Sequence, residues 1–262
     1  MESSGYGRKL DLIKDVRVAV TLARQEVKGM FRQSALGPLW HALSLGIQIA
    51  VIGVIFSFAT GSNPATYVPS MAVGLTFWHL ISGALNSSAT AVVQGHLILR
   101  QMRFPVYLFA FQALTRQMIL LGYGSGVLLP LLLYFRVDVK PTALLFVPAL
   151  VVVALSVFFL GAILGIINVR FRDIAPLTSS ALMMIFYTTP ILWSSDRVPP
   201  GLVELISNVS IFYHWIELLR GPILGISPEW THWEFSLVGL AVSFLLFVLV
   251  VRVARPKVVY WL

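Results

Sequence analysis

Residues 144–167 read LLFVPALVVVALSVFFLGAILGII, a run with no charge anywhere in it. A helix needs roughly 20 mostly apolar residues to cross the hydrocarbon core of a bilayer, and this stretch exceeds that length. Outward from it, five more stretches qualify: Trp40–Thr60, Tyr67–Val93, Ala110–Phe135, Leu177–Trp193 and Phe235–Ala254. The fifth in chain order is short and holds Pro190 near its end, and the third encloses Arg116, which moves its expected start toward Met118. The composition agrees. The chain has 262 residues, of which 58% are hydrophobic and 11% charged, against roughly 45–50% and 25% in soluble domains. Mean hydropathy is +0.85. These values exclude a soluble enzyme, a disordered chain and an outer-membrane barrel, whose strands alternate and hydrate their lumen. The expected fold is all-α, integral to the membrane, with six transmembrane helices. With no cysteine, disulfides and thiolate metal sites are excluded.

Net charge is +8. In a membrane chain this points to loops held at anionic lipid rather than to nucleic acid. Fourteen lysines and arginines fall on one side of the six stretches: seven before the first span, Arg100 and Arg103, Arg170 and Arg172, and Arg252, Arg255 and Lys257. Four fall on the other side, Arg136, Lys140, Arg197 and Arg220, with Arg116 left over. The positive-inside rule then places both termini in the cytoplasm. No stretch in residues 1–35 reads as a secretory signal.

Two units are expected, a cytoplasmic interface helix within 1–39 and a transmembrane domain over 40–262. At helical spacing Ile13, Val16, Val20, Ala23, Val27, Met30 and Phe31 share one arc, and Lys14, Arg17, Arg24, Lys28 and Arg32 the arc beside it. Such a helix lies in the membrane interface, as a lipid anchor or as a docking surface for a cytoplasmic partner. Gly37-Pro38 ends it before the first span.

Much chemistry is absent. None of the five lysines follows a glycine, so no P-loop exists and the chain cannot hydrolyse ATP by that route. There is no Gly-x-Ser-x-Gly elbow. The five histidines make no i, i+4 pair, which argues against a metal site. All eleven acids lie outside the six expected spans, which removes the usual carriers of a coupling ion. An intramembrane glycosyl or acyl transferase would need an acid or histidine cluster at a membrane face. Asp173 stands without one in its loop.

Between the last two expected spans, Pro199–Asn208 and Ile211–Leu224 are apolar at helical spacing but too short to cross. They fit re-entrant or interfacial half-helices. Phe212, Tyr213, Trp215, Glu217 and Arg220 of the second belong either to an aromatic belt at the outer interface or to a gate over an exit path. Gly122-x-x-x-Gly126 and Gly161-x-x-x-Gly165 permit close helix approach. Inside the second expected span lie His79, Ser82, Asn86, Ser87, Ser88 and Thr90, and in the fifth Thr178, Ser179, Ser180, Thr188 and Thr189. With Phe77, Trp78, Tyr187 and Trp193 they supply hydroxyls and rings of the kind that bind sugars, or else hydrogen bonds between helices.

Four stretches carry a resemblance: Arg32–Trp40 (RQSALGPLW), Arg103-Phe104-Pro105, Asn168–Ile174 (NVRFRDI) and Thr189-Pro190-Ile191. Together, in this order, they resemble the membrane subunit of ABC-2 type polysaccharide exporters, the group that handles O-antigen, teichoic acid and related lipid-linked glycans. The likeness covers nearly the whole chain. One departure is Asn208-Val209-Ser210, where the family commonly shows Asn-Pro. The resemblance implies a homodimer in the bacterial inner membrane, bound to a pair of copies of a separate ATPase that carries the ATP and Mg. No cofactor is expected on this chain, and no enzyme activity. ATPase contacts would fall on Lys14, Arg17, Arg24, Lys28, Arg32, Arg100, Arg103, Arg170, Arg172 and Asp173. The cargo would be a glycan on a polyprenyl diphosphate, its headgroup met by Arg100, Arg103 and Arg116. Its path would follow Phe77, Trp78, His79, Asn86, Tyr187 and Trp193. An exporter of small lipids or drugs would use the same dimer and the same ATPase.

Overall fold

The computed structural model describes residues 12–95, 105–138, 140–193, 199, 201, 205–206 and 210–254. Its main helices are α1 (Leu12–Met30), α2 (Leu39–Thr60), α3 (Pro64–Gln94), α4 (Leu108–Tyr134), α5 (Phe146–Arg170), α6 (Ile174–Thr188), α7 (Ile211–Ile223) and α8 (Trp230–Ala254). A 3-10 turn at Pro141–Leu145 leads into α5. Among the described residues there is no strand. Among the described residues five helices are long and apolar enough to cross a membrane: α2, α3, α4, α5 with its leading turn, and α8. The chain is a multi-pass helical membrane protein.

The fifth expected span, Leu177–Trp193, is instead the 15-residue α6. The cause is local. Thr189 turns to extended backbone (φ −79°, ψ 134°) because it precedes Pro190, whose ring disfavours helix at the residue before it. Beyond it the side chains of Thr189 and Ile191 are buried. The exposed-backbone problem of this break is solved by two distant side chains: Tyr67 Oη donates to the Leu192 carbonyl at 2.7 Å, and Arg220 Nη1 donates to the Pro190 carbonyl at 3.0 Å.

Other boundaries move for equally definite reasons. Helix α4 begins at Leu108, ten residues before Met118, and carries Arg116 within it. Helix α3 begins at Pro64, capped by Asn63, whose Oδ1 accepts the Ala65 N–H at 2.9 Å. The turn before it is tight because Gly61 takes a left-handed conformation (φ 59°) that closes α2. Helix α8 begins at Trp230 rather than Phe235, so Glu234 lies inside it and accepts a hydrogen bond from Trp230 Nε1 at 2.6 Å.

Helix α3 is the axis of the fold. It packs against α2, α4, α5, α6 and α7, and Met71, Ala72, Val73, Leu75, Phe77, Leu80, Ile81 and Ala84 are buried around nearly its whole circumference. The approach of α5 depends on its small residues. A Cβ on Gly161 would sit 2.6 Å from Ser88 Oγ, and one on Gly165 2.6 Å from the Ser88 carbonyl oxygen. The matching pair on α4 does nothing comparable, since a Cβ on Gly122 or Gly126 meets no atom within 4 Å. A second, smaller cluster gathers Ala19 of α1, Val92 of α3, Leu108 and Phe109 of α4, Ile166 and Val169 of α5 and Ala254 of α8. It defines one end of the molecule, called here the α1 end.

Helix α1 is not a free interfacial helix. It packs on α4, with Ala19, Ala23 and Val27 fully enclosed and Ile13 and Met30 exposed. Its buried stripe therefore follows i, i+4, i+8 through two alanines and a valine. The bulkier apolar residues at its ends are left outward.

Candidate functional site

One face of α3 is polar from Thr76 to its end. Thr76, His79, Gly83, Asn86, Ser87, Thr90 and Gln94 recur every three or four residues and so lie in one stripe. Helix α4 runs beside it with Gln112, Arg116 and Gln117, and a Cβ on Gly83 would fall 2.8 Å from the Gln117 amide. Two cavities open along this seam. The one at mid-depth, about 170 Å³, is lined by His41, Ser44 and Gln48 of α2, Thr76 and His79 of α3 and Gln117 of α4. His79 Nε2 and Gln48 Oε1 meet there at 2.9 Å, in a bond exposed on the surface of the subunit. The other, about 420 Å³, lies toward the α1 end among Glu26, Asn86, Ser87, Thr90, Gln94, Gln112 and Arg116. Asn86 also joins the seam to α6, accepting from Ser179 Oγ at 2.9 Å.

The larger cavity is built around an ion pair. Glu26 of α1 and Arg116 of α4 are bonded, Arg116 also donates to Ser87 Oγ of α3, and Gln112 Nε2 donates to Glu26 at 3.2 Å. A guanidinium at this depth needs a compensating anion, and α1 supplies it. Sequence reasoning registers Glu26 only as an acid outside the spans. The signal that could have found it is its isolation: it is the one acid between Arg17 and Arg32.

The residues expected to line a path divide sharply. His79 and Tyr187 are exposed, and Asn86 and Trp193 half-buried. Trp193 Nε1 donates to the Tyr187 carbonyl at 3.1 Å. Phe77 and Trp78, by contrast, are buried in the core of the subunit. Phe77 packs on Phe146 at 5.5 Å, and Trp78 bridges α6 and α7 through Phe186 at 5.5 Å and Phe212 at 6.0 Å. They face away from the seam because each residue along a helix is rotated about 100° from the one before it. Trp78→Ala is therefore expected to cost about 3–5 kcal/mol of stability, the range for truncating a buried aromatic. Tyr187→Ala, at an exposed position, should stay within ~0.5 kcal/mol. Thermal unfolding of the two variants in detergent distinguishes them.

The residues expected at an outer gate are also unequal. On α7, Trp215 is fully enclosed with His214, Ile216, Leu218 and Leu219. Phe212, Tyr213, Glu217 and Arg220 are half-buried, and Glu217 pairs with Arg220. Burial pushes the Tyr213 phenol up, and the nearby Glu217 carboxylate adds to this, so Tyr213 stays neutral. A swing of α7 by itself would bring five core side chains into water, at about 1.5–3 kcal/mol for each large apolar one. Helix α7 is packed into the core. Its companion half-helix, Pro199–Asn208, lies largely outside the described residues. Two histidines that sequence spacing keeps apart, His214 and His232, meet at 2.9 Å between their Nδ1 atoms, with His214 stacked on Phe235 at 4.2 Å. Among the described residues no cluster of three metal-ligating side chains forms.

At the α1 end the cations are outward. Lys14, Arg17, Arg24, Lys28 and Arg32 are exposed, as are Arg170, Arg172 and Asp173 in the turn between α5 and α6. That turn is held by a residue the charge pattern does not reveal. Asn168 is buried, and its Oδ1 accepts the Ala175 N–H at 3.1 Å, capping the start of α6 in place of Asp173. Arg100 and Arg103 lie outside the described residues.

The chain is similar in sequence to known proteins. Residues 17–224 match the profile of the ABC-2 type transporter family. The O-antigen export system permease protein RfbA of Myxococcus xanthus is 30% identical over 185 residues, covering 68% of this chain and 69% of that protein. The protein of the same name from Klebsiella pneumoniae is 22% identical over 231 residues, covering 85% of this chain and 89% of its own length. The matched region takes in the basic face of α1, the polar seam and the α5–α6 turn, and the chain belongs to the ABC-2 type transporter family.

Proposed function

We propose that this chain is the transmembrane subunit of an ATP-driven exporter that moves a polyprenyl-diphosphate-linked glycan out of the cytoplasm across the bacterial inner membrane. The observation that carries the reading is the polar seam. Amides, hydroxyls and an imidazole stay exposed on the subunit surface, in helices otherwise apolar enough to face lipid. Such groups are costly against hydrocarbon and belong against water, a polar cargo or a second subunit. A neutral wall of amides and hydroxyls suits a sugar polymer, which must bind weakly enough to keep moving. The O-antigen export named for the relatives agrees with it.

In this reading two copies of the chain face each other across the seam. The α1 end is cytoplasmic, following the lysine and arginine count, so both termini are inside. Helix α6 and the non-helical residues after it complete a sixth crossing. A separate ATPase, in two copies, holds the ATP and Mg and docks on Arg17, Arg24, Lys28, Arg32 and the Arg170–Asp173 turn. This chain performs no chemistry of its own. The anionic headgroup enters at Arg100, Arg103 and Arg116. Because α7 is packed into the core, the outer end opens by movement of whole subunits, with Phe212, Tyr213 and the Glu217–Arg220 pair at its rim.

The test is surface glycan in cells whose only copy of the subunit carries His79→Leu with Asn86→Leu. Removing two polar groups from the wall is expected to cut surface glycan about tenfold, equivalent to ~1.4 kcal/mol on the barrier to passage, at unchanged membrane level of the protein. Wild-type surface glycan would reject the seam as the path.

A further inference from the structure

We propose that the Glu26–Arg116 pair is exchangeable: a phosphate group entering the larger cavity takes Arg116 from Glu26 and thereby releases α1 from α4. The proposal deepens the export reading and rests on it for the identity of the headgroup. The two partners are unequally placed. Arg116 is 13% exposed and Glu26 34%. The Arg116 guanidinium is held in the interior of the subunit, where it needs an anion beside it. Glu26 sits on a helix at the rim and regains water when it lets go. One partner is therefore captive and the other free to leave, on the condition that another anion replaces it.

The cavity is furnished for that replacement. A guanidinium takes phosphate oxygens by paired hydrogen bonds, more strongly than it takes most neutral acceptors. Around Arg116 stand the Ser87 and Thr90 hydroxyls and the Gln94 and Gln112 amides, all on the cavity wall. Gln112 Nε2, now spent on Glu26, is released by the same exchange. At about 420 Å³ the space admits a diphosphate.

Besides the ion pair, the described part of α1 is held on α4 by small side chains, Ala19, Ala23 and Val27, with Val16 and Val18 packed on the same cluster, and its outward face bears Arg17, Arg24 and Lys28. Loss of the ion pair therefore changes the position of the face on which a cytoplasmic partner docks. Occupancy of the cavity by cargo is reported to that partner through one carboxylate.

The chain has no cysteine, so Gln25→Cys, exposed on α1 beside Glu26, accepts a single nitroxide. The full chain is placed in phosphatidylcholine nanodiscs, and label mobility and binding are read with inorganic pyrophosphate added or with a polyprenyl diphosphate in the bilayer. Increased mobility with either anion, reversed when the pyrophosphate is washed away, supports the exchange. A response to the lipid alone assigns the phosphate to a membrane-borne headgroup, and a response to both shows that the phosphate suffices. Glu26→Gln should be mobile without any anion and bind pyrophosphate about tenfold more tightly, since the internal competitor is gone. The double variant Glu26→Gln, Arg116→Gln keeps a neutral pair at the site and should respond to neither anion. Binding of either anion to the wild-type chain with no change in mobility overturns the exchange and leaves the headgroup contact standing. Absence of binding to the wild type and to Glu26→Gln alike overturns both, while the export reading is judged separately by surface glycan.

Discussion

Gly165→Leu is expected to abolish accumulation of folded protein. The new Cβ would lie 2.6 Å from the carbonyl oxygen of Ser88, a backbone atom of α3, and 3.2 Å from Val92. A flexible side chain could yield; the backbone of a helix packed against five others cannot. Overpacking a core that can relax costs about 1–3 kcal/mol, and here the relaxation must separate two helices along their contact, so at least about 3 kcal/mol is expected. That is a large part of a total stability of roughly 5–15 kcal/mol. Gly122→Leu is the matched control, since nothing stands within 4 Å of its Cβ. Size-exclusion profiles of the two variants from the same membranes should show the first as aggregate and the second as wild type. A monodisperse Gly165→Leu protein would mean that α3 and α5 do not meet at Ser88.

Arg170→Ala with Arg172→Ala should separate ATP turnover from export. Both residues are exposed in the α5–α6 turn, away from the seam and outside the buried clusters, so the folded subunit should persist. Truncating a charged contact at a protein interface costs about 2–5 kcal/mol when the partner is left unpaired. Surface glycan is therefore expected to fall about tenfold or more, while the assembled complex continues to hydrolyse ATP. The turn itself should survive, because Asn168 and not either arginine caps it. Export at wild-type level would place the ATPase contact elsewhere, with the basic face of α1 next in line.

What the sequence reveals here depends on whether a property is local. Apolar runs locate the five long helices because length and hydropathy are sums over neighbours. The break at Thr189 is legible for the same reason, given Pro190. The start of α4 is not: Arg116 argues for a later start until Glu26, ninety positions earlier, is known to neutralise it. The two GxxxG pairs are identical as strings, and only the neighbour opposite decides that Gly161 and Gly165 are packed while Gly122 and Gly126 are open. Phe77, Trp78 and His79 are consecutive, yet the first two are core and the third lines the seam, because only His79 falls on the stripe that Thr76, Gly83 and Asn86 share. Gln48 and Gln117 were the available clue, as mid-helix amides that hydrocarbon would not tolerate.

The capture of the Pro190 and Leu192 carbonyls by Arg220 and Tyr67 bears on how the chain is made. During synthesis α6 emerges before α7 exists, too brief to settle in lipid alone and with one of its trailing carbonyls unclaimed. Tyr67 is already in place by then, but Arg220 arrives thirty residues later. The insertion machinery must therefore shelter this segment until α7 has been delivered, which makes the last quarter of translation the step at which a slow ribosome or a truncated message leaves the product open to quality-control proteolysis.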